Sequence, residues 1–594
     1  MTKQVTLTID GTNVTVPKEY TIMQAADSIG IHIPRLCYHP KLSAVSACRI
    51  CVVEVVGMKN YPVSCNTNVT EGMNVKTNSP AIREARKVLT ELILDAHPKD
   101  CQICDKNQNC DLQALAESIG VKELVYEGDR LQFPQDTSSP SLIRDPNKCI
   151  LCGKCIRACV EIQGVNTLSF VNRGYKTTVS PAYHTPMIET VCINCGQCVN
   201  FCPTGALTEH DATEQVWKAI ADPDKKVIVQ IAPAVRVAVG EGFGLAPGKD
   251  MTKQTVTALK MLGFDIVFDT QFSADLTIVE EANELIYRIQ NNGKLPLITS
   301  CSPGWVKFCE HFHPGLLENV SSCKSPQQML GALIKTYYAE KAGIDPSKIY
   351  SVSIMPCTAK KYEASRPEMN SSGYQDVDVV LTTRELVKMI KQAGIQFNTL
   401  KESEFDNELG ESTGAAPIFG ATGGVMEAAL RTAYEAITLK NLDHVDFTAV
   451  RGFEGIKEAE IDVEGTKVNV AVAYGLVNAH KLLTEVEKGN KTYHFIEIMA
   501  CPGGCLGGGG QPFPKGTAEL MDKAIYHKRA EGLYDIDRKK IIRKSHLNPQ
   551  IIKLYAEYLE KPLGHKSHQL LHTRYTKRTP KGVATKKTKT VSIS

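Results

Sequence analysis

The sequence predicts an α/β body with parallel-sheet lobes, preceded by a series of small α+β units. Three observations predict this division. From about residue 215 onward, short apolar runs alternate with helix-period segments, the texture of buried parallel strands joined by helices. The first 210 residues instead hold 15 of the 21 cysteines, in tight groups between short, turn-rich segments. Two of those groups repeat one spacing about 43 residues apart, an internal duplication.

Taken in order, residues 3–16 read as two alternating strands around a turn at Asp10-Gly11, followed by a helix over roughly 21–29. Residues 80–96 (AIREARKVLTELILDAH after Pro80) read as an amphipathic helix leading into the next cysteine group. The polar stretch 125–142, with Pro134 and Pro140, reads as a linker. The strands of the α/β part are KKVIVQIAP, FDIVFDT, LPLITSC, IYSVSIMPC, DVDVVLTT and HFIEIMAC. Three of them run directly into a cysteine, at Cys301, Cys357 and Cys501. Strand C-termini are where α/β folds carry their sites.

At 594 residues the chain has room for several cores, and 43% hydrophobic with 22% charged residues is an ordinary globular balance. A formal net charge of +3 gives no basic excess over the body, which argues against nucleic acid as a partner. After Glu560 there are no acids and nine Lys or Arg, from Lys561 to Lys589. Such a run is more often a solvated tail than a contact with an acidic subunit, and 580–594 reads as disordered. The first residues, MTKQVTLTID, contain no apolar signal region, and no run approaches 18 apolar residues. The expected compartment is cytoplasmic, where cysteines serve as metal ligands or redox groups rather than disulfides.

Spacing then decides what the cysteines hold. Cys37, Cys48-x2-Cys51 and Cys65 are four thiols on a hairpin-rich background, which favours a [2Fe–2S] cluster over zinc. His97-x3-Cys101-x2-Cys104-x5-Cys110 suits a [4Fe–4S] cluster with one imidazole ligand, with a Cys3His zinc site as the alternative. Cys149-x2-Cys152-x2-Cys155-x3-Cys159 and Cys192-x2-Cys195-x2-Cys198-x3-Cys202-Pro203 are bacterial ferredoxin runs. In such runs the fourth cysteine ligates the other cluster, so Cys159 and Cys202 are expected to cross over. Val160 stands where the first run lacks the usual proline. Four clusters in series form a wire, and a wire needs a reaction at its end.

That end lies in three motifs: Thr299-Ser300-Cys301-Ser302-Pro303-Gly304-Trp305, Met355-Pro356-Cys357-Thr358-Ala359-Lys360-Lys361-Tyr362-Glu363, and Glu497-Ile498-Met499-Ala500-Cys501-Pro502-Gly503-Gly504-Cys505 with the glycines after it. They bring four thiols from three strand ends, enough for one more cubane. The glycine run permits close backbone approach. A tight turn would be the plain explanation of those glycines without Cys501 and Cys505.

These motifs resemble the three signature segments of the iron–iron hydrogenases, and the resemblance extends from about residue 3 to 572. It implies an α/β catalytic domain with parallel-sheet lobes, preceded by small α+β ferredoxin-like iron–sulfur domains. It also implies an H-cluster, a [4Fe–4S] cubane bridged by a cysteine to a two-iron unit with CO, cyanide and a dithiolate amine, at which 2H⁺ + 2e⁻ ⇌ H₂. By that similarity Cys505 is the bridge, Cys357 and Cys501 are cubane ligands, and Lys360 meets a cyanide. Pro233, Ser325, Gln327, Met355, Phe419 and Met499 line the two-iron pocket. The proton route is Glu281, Ser321 and Glu284, with Arg288 near its exit; without the resemblance, Glu281 and Glu284 read as a solvated acidic helix face. The expected division is a [2Fe–2S] domain (1–79), a His/Cys3 [4Fe–4S] domain (80–125), a two-[4Fe–4S] domain (143–212), the H-cluster domain (215–545), a small-subunit-like segment (546–579) and the tail (580–594).

One departure stands out. The family's first segment carries two adjacent cysteines, a proton relay and then a cubane ligand; here Cys301 is followed by Ser302. Either Cys301 shifts to bind the cubane, leaving the relay to Ser300, Ser302 or water, or Cys301 relays and Ser302 or a nearby thiol completes the cubane. The first option is preferred, with Cys323 as reserve thiol; Cys309 and Cys323 otherwise read as core.

The first 210 residues also resemble the cluster-bearing large subunit of respiratory complex I. Electrons are therefore expected from ferredoxin, from a flavin-bearing NAD(P)-binding subunit of a hetero-oligomer, or from both. Gly240-x-Gly242-x-Gly244 is too weak a nucleotide fingerprint to place NAD(P) on this chain. A relay or H₂ sensor with a degenerate hydrogenase domain is the competing assignment, supported by Ser302. A molybdenum or tungsten formate dehydrogenase subunit leaves the three C-terminal motifs without a role.

Overall fold

A computed structural model of the chain describes residues 3–463, 465–513 and 520–579; the tail expected at 580–594 lies outside the described residues. Alternating apolar residues make the first hairpin. Strands Gln4–Ile9 and Thr12–Pro17 pair antiparallel around Asp10-Gly11, where Gly11 takes φ +84°. Val5, Leu7 and Ile9 point with Val14 and Val16 into one core. Asn74–Lys76 joins parallel to Gln4–Ile9, and Glu54–Val55 closes a four-stranded sheet. The helix Ile22–Ser28 begins at a reciprocal capping box of Thr21 and Gln24.

The helix Pro80–Asp95 is capped by Ser79 and carries Arg86 back to the first unit, where it donates to the carbonyls of Ile50 and Val52. The stretch 125–142 is not a free linker. Ser139 and Ser141 are buried, and Ser141 Oγ donates to the Thr358 carbonyl at 2.7 Å, which ties the stretch to the α/β body. The duplication is visible in the backbone. Gly153 and Gly196, at φ +69° and +72°, each open a short helix, Lys154–Arg157 and Gln197–Phe201.

All six predicted strands form, in two separate sheets. Ile266–Asp269, Lys226–Ile231, Ile349–Met355 and Val379–Thr382 make an all-parallel sheet in that spatial order. Their Val and Ile residues are buried, including Val227, Val229, Ile231, Val352 and Ile354. Burying each such side chain is worth about 1.5–3 kcal/mol. Leu297–Ile298 and Phe495–Met499 belong to a second sheet, continued in parallel by Thr466–Tyr474 and closed by antiparallel Ile456–Val463. Sequence reading did not single out this last hairpin. Its outer strand (IKEAEIDV) alternates with charges, as an edge strand does, and lacks the continuous apolar run that marked the others. Between the lobes lies the 21-residue helix Thr270–Gln290, buried over most of its length. Among the described residues no helix is long and apolar enough to cross a membrane.

Candidate active site

Three chain segments deliver the central thiols. Strand Ile349–Met355 ends just before Cys357, and helix Ala359–Ala364 follows with Lys360 in its first turn. Strand Phe495–Met499 ends just before Cys501; the chain then turns through Gly503 and Gly504 (φ +73° and +76°) into the short helix Gly504–Gly507 that holds Cys505. Strand Leu297–Ile298 leads through Cys301 and Ser302 into helix Pro303–Phe312.

Cys301, Ser302, Cys357, Cys501 and Cys505 line one largely apolar cavity. Pro233, Gln327, Met355, Lys360, Phe419 and Met499 complete its wall. Ser325 does not line it but donates to Glu363 Oε2 at 2.9 Å. The same oxygen accepts from Gln327 Nε2 at 3.1 Å and Lys360 Nζ at 2.9 Å. Glu363 is thus the pivot that fixes Lys360, and Lys360 also donates to the Cys301 carbonyl at 3.1 Å. Sequence reading quoted Glu363 within its motif without giving it this role.

Burial pushes the thiols up: Cys505 to about 12, Cys357 above its ordinary value, and Cys301 well above it. Lys360 opposes the rise at all three. Several desolvated thiols beside one cation, itself paired with Glu363, form a donor set that ionises readily only on a bound metal. The cavity therefore fits an iron–sulfur group. Among the described residues no three His, Cys, Asp or Glu side chains close on a single-ion position. Zinc would require about 2.3 Å from each thiolate to one point, whereas the thiols of a cluster surround it.

The glycine run serves backbone packing. A Cβ on Gly508 would stand 2.2 Å from the Pro356 carbonyl oxygen, and one on Gly509 2.1 Å from that of Cys195. Gly509→Ala is expected to cost about 1–3 kcal/mol through overpacking, seen as a lower midpoint in denaturant unfolding. An unchanged midpoint would show that the two loops part freely.

A line of polar groups leads away from Cys301. Glu281 is pushed up to about 8 by burial first and then by the Glu284 charge, while hydrogen bonding with Ser321 works the other way. Ser321 Oγ donates to Glu284 Oε2 at 2.8 Å, and Arg288 pairs with Glu284 Oε1 at 2.6 Å. Glu281 and Glu284 are buried, so the solvated-face alternative does not hold. Glu497 is pushed up to about 7 by burial, although it accepts the amides of Gly423 (2.6 Å) and Met426 (2.7 Å) at a helix start. Cys323 does not line the cavity: its Sγ lies 3.8 Å from Glu284 Oε2, and its carbonyl accepts from Ser300 Oγ at 2.5 Å. Cys309 donates to the His313 carbonyl at 3.3 Å.

Members of the other cysteine groups meet as well, although in the second group only Cys104 and Cys110 are brought together. Cys37 Sγ accepts the Cys48 amide at 3.5 Å, and the Cys51 and Cys65 thiols meet each other. His97 is held down to about 4 by burial, and its Nδ1 is buried with no hydrogen-bond partner. A neutral imidazole with an unpaired ring nitrogen is what metal ligation requires. Cys202 shares a cavity with Cys149, Cys152 and Cys155. Cys159 adds its charge to both Cys192 and Cys198, whose thiols burial already raises.

These groups touch in sequence. Arg157 donates to the carbonyls of Cys37 (2.7 Å) and Cys152 (3.1 Å). Cys37, Cys48, Cys110 and Cys152 share one apolar cluster. At the other end, Cys195 lines the central cavity, and Gln197 Nε2 donates to the Gly507 carbonyl at 3.0 Å.

Family profiles match along the chain. Residues 225–509 match the iron only hydrogenase large subunit, C-terminal domain, and 523–578 the iron hydrogenase small subunit. Residues 2–80 match a 2Fe-2S iron-sulfur cluster binding domain, and 86–124 the NADH-ubiquinone oxidoreductase-G iron-sulfur binding region. Residues 139–208 match the ferredoxin-like domain of NADH-quinone oxidoreductase subunit 3. The chain is 52% identical to the NADP-reducing hydrogenase subunit HndD of Solidesulfovibrio fructosivorans, over 96% of this chain and 99% of that one. It is 42% identical to Iron hydrogenase 1 of Clostridium pasteurianum, over 96% and 100%. Among solved structures, the apo [FeFe]-hydrogenase of Chlamydomonas reinhardtii matches with a TM-score of 0.55 and 44% identity, over 62% of this chain and 99% of that one.

Proposed function

The chain belongs to the iron-only hydrogenases, and on that premise we propose how its residues divide the work of interconverting protons, electrons and H₂. When bound, the H-cluster supplies the two-iron centre at which two protons and two electrons combine. Cys357, Cys501 and Cys505 would hold it, with Cys505 as the bridging thiolate. Pro233, Met355, Phe419 and Met499 form an apolar wall that excludes water, while Gln327 and Lys360 place polar donors within that wall. Ser325 acts one step back by orienting Glu363.

Protons pass between the cavity and the surface through Glu281, Ser321 and Glu284 to Arg288. Glu281 at about 8 is mostly protonated at neutral pH and suited to give and regain a proton. With clusters bound, Cys37, Cys48, Cys51 and Cys65, or His97 with Cys101, Cys104 and Cys110, would hold the groups at which electrons enter. They reach the cavity through the paired ferredoxin-type groups, whose Cys195 stands at its wall. The modules doing this are 1–79, 80–125, 143–212, 215–545 and 546–579.

The relative in S. fructosivorans is named NADP-reducing. We assign this chain to a hetero-oligomer in which a flavin-bearing partner binds NAD(P), with ferredoxin as a second electron carrier. The weak glycine fingerprint supports placing the nucleotide elsewhere. A Cβ on Gly242 would meet Val387 at 2.6 Å, so this glycine serves packing. A cytoplasmic location suits a chain whose 21 cysteines are all free thiols.

The observation that carries the proposal is the convergence of Cys357, Cys501 and Cys505 on one cavity that Cys195 also lines. The test is purification from the native host, with infrared bands of iron-bound CO and cyanide, H₂ evolution from reduced dye, and identification of co-purifying flavoproteins. Bands together with turnover are expected. Bands without turnover would make the chain a sensor, and neither would make it a relay.

A further inference from the structure

We propose that Ser302 supplies the fourth ligand of the cubane through its Oγ, leaving the Cys301 thiol free of iron. This rests on the hydrogenase assignment and settles a point at which the chain departs from the family's cysteine pair.

Ser302 occupies the N-cap position of the helix Pro303–Phe312, yet its side chain makes no capping hydrogen bond. Serine is among the best N-cap residues because its hydroxyl accepts an amide of the first turn, worth about 0.5–2 kcal/mol. Here that contact is forgone. The hydroxyl instead accepts the Ala500 amide at 3.2 Å, one residue before Cys501. Ser302 also lines the cavity with Cys357, Cys501 and Cys505. Close approach of this helix start to the Cys501 loop is allowed by its glycine. A Cβ on Gly304 would already stand 3.1 Å from Ala500 Cβ.

The competing donors are placed elsewhere. Cys323 and Cys309 are engaged outside the cavity, with Glu284 and with the His313 carbonyl. Cys195 belongs to the ferredoxin-type group beside it. Cys301 packs, with Cys505, against the apolar cluster containing Phe419 and Met499, the wall assigned to the two-iron unit. Its own carbonyl is pinned by Lys360. Drawing Cys301 to the Ala500 side would displace Ser302 from that amide and leave the buried wall beside Phe419 unfilled.

The ligation step is an acid–base exchange. The Ser302 O–H bond breaks, an iron–alkoxide bond forms, and one proton leaves to solvent; no oxidant or reductant is needed. An oxygen donor is harder than a thiolate, so one iron of this cubane should differ from its three sulfur-ligated neighbours.

The test uses the full-length chain, reconstituted with iron and sulfide but without the two-iron unit. Iron, acid-labile sulfide and ⁵⁷Fe Mössbauer spectra are measured for wild type, Ser302→Ala, Ser302→Cys and Cys301→Ala. Ser302→Ala is expected to lose about four irons per chain, the content of one [4Fe–4S] cluster. Ser302→Cys and Cys301→Ala should keep them. Of these two cluster-retaining variants, only Ser302→Cys should lack the oxygen-ligated iron component present in wild type. Loss of iron in Cys301→Ala with retention in Ser302→Ala would overturn the proposal, as would retention in both alanine variants. Failure of the hydrogenase assignment is a separate outcome: matured wild type would then show no CO or cyanide bands, whatever the variants retain.

Discussion

Replacing Glu281 with glutamine is expected to lower H₂ turnover by about 10²–10⁴-fold, the usual contribution of a positioned acid–base group. Infrared bands of the matured enzyme should persist. Glutamine keeps the volume and the hydrogen bond with Ser321 but cannot carry a proton through. A second effect follows from the pH dependence of folding. Glu281 sits at about 8 in the folded chain because burial and the charges of Glu284 and Glu497 oppose its ionisation, with Arg288 working against them. In the unfolded chain it returns to about 4.3. Between those values the folded state binds the extra proton, so stability falls as pH rises from about 4.3 and is lost through about 8. Glutamine removes this dependence. The wild-type unfolding midpoint should therefore drop more between pH 6 and pH 8.5 than that of Glu281→Gln. Equal slopes, or turnover within a few-fold of wild type, would show that Glu281 does not carry the proton.

Much of the architecture was written in spacing. The cysteine runs identify cluster groups because thiolate ligands must recur at fixed short intervals. The six apolar runs identify strands because a strand buried on both faces cannot alternate. The hairpin Ile456–Val463 and Thr466–Tyr474 was not picked out, since its outer strand faces water and carries charges at alternate positions. The acids were harder still. Glu281 and Glu284 look like any solvated helix pair until the helix Thr270–Gln290 is seen packed between two lobes. Glu363 and Glu497 lay within quoted motifs, but their work depends on partners far along the chain: Ser325 and Gln327 for one, Gly423 and Met426 for the other. No local pattern announces such contacts. The same holds for Ser302, whose identity was plain and whose direction was not. A serine at a helix start commonly caps it, and here the Ala500 amide shows it turned away.

Cys505→Ala is expected to abolish retention of the two-iron unit, leaving CO and cyanide bands absent and H₂ evolution at background. The loss should be local. Cys505 lies in a turn whose geometry is set by its neighbours: Gly503 and Gly504 hold positive φ, and Gly508 packs against Pro356. Alanine at 505 disturbs none of these contacts, and the Cys505 carbonyl can still accept from Gln511 Nε2, at 3.3 Å in the native chain. The remaining cluster groups lie on other segments, so their electron paramagnetic resonance signals and the unfolding midpoint should stay near wild type. This separates a bridging thiol from a merely structural one, because a structural cysteine packed against the apolar core would lower stability along with activity. It also distinguishes Cys505 from Cys301, whose replacement should slow proton delivery without emptying the site. Full CO and cyanide bands in Cys505→Ala would mean that the apolar wall and Lys360 hold the two-iron unit without a covalent anchor, and the bridge would then have to be sought at Cys357 or Cys501.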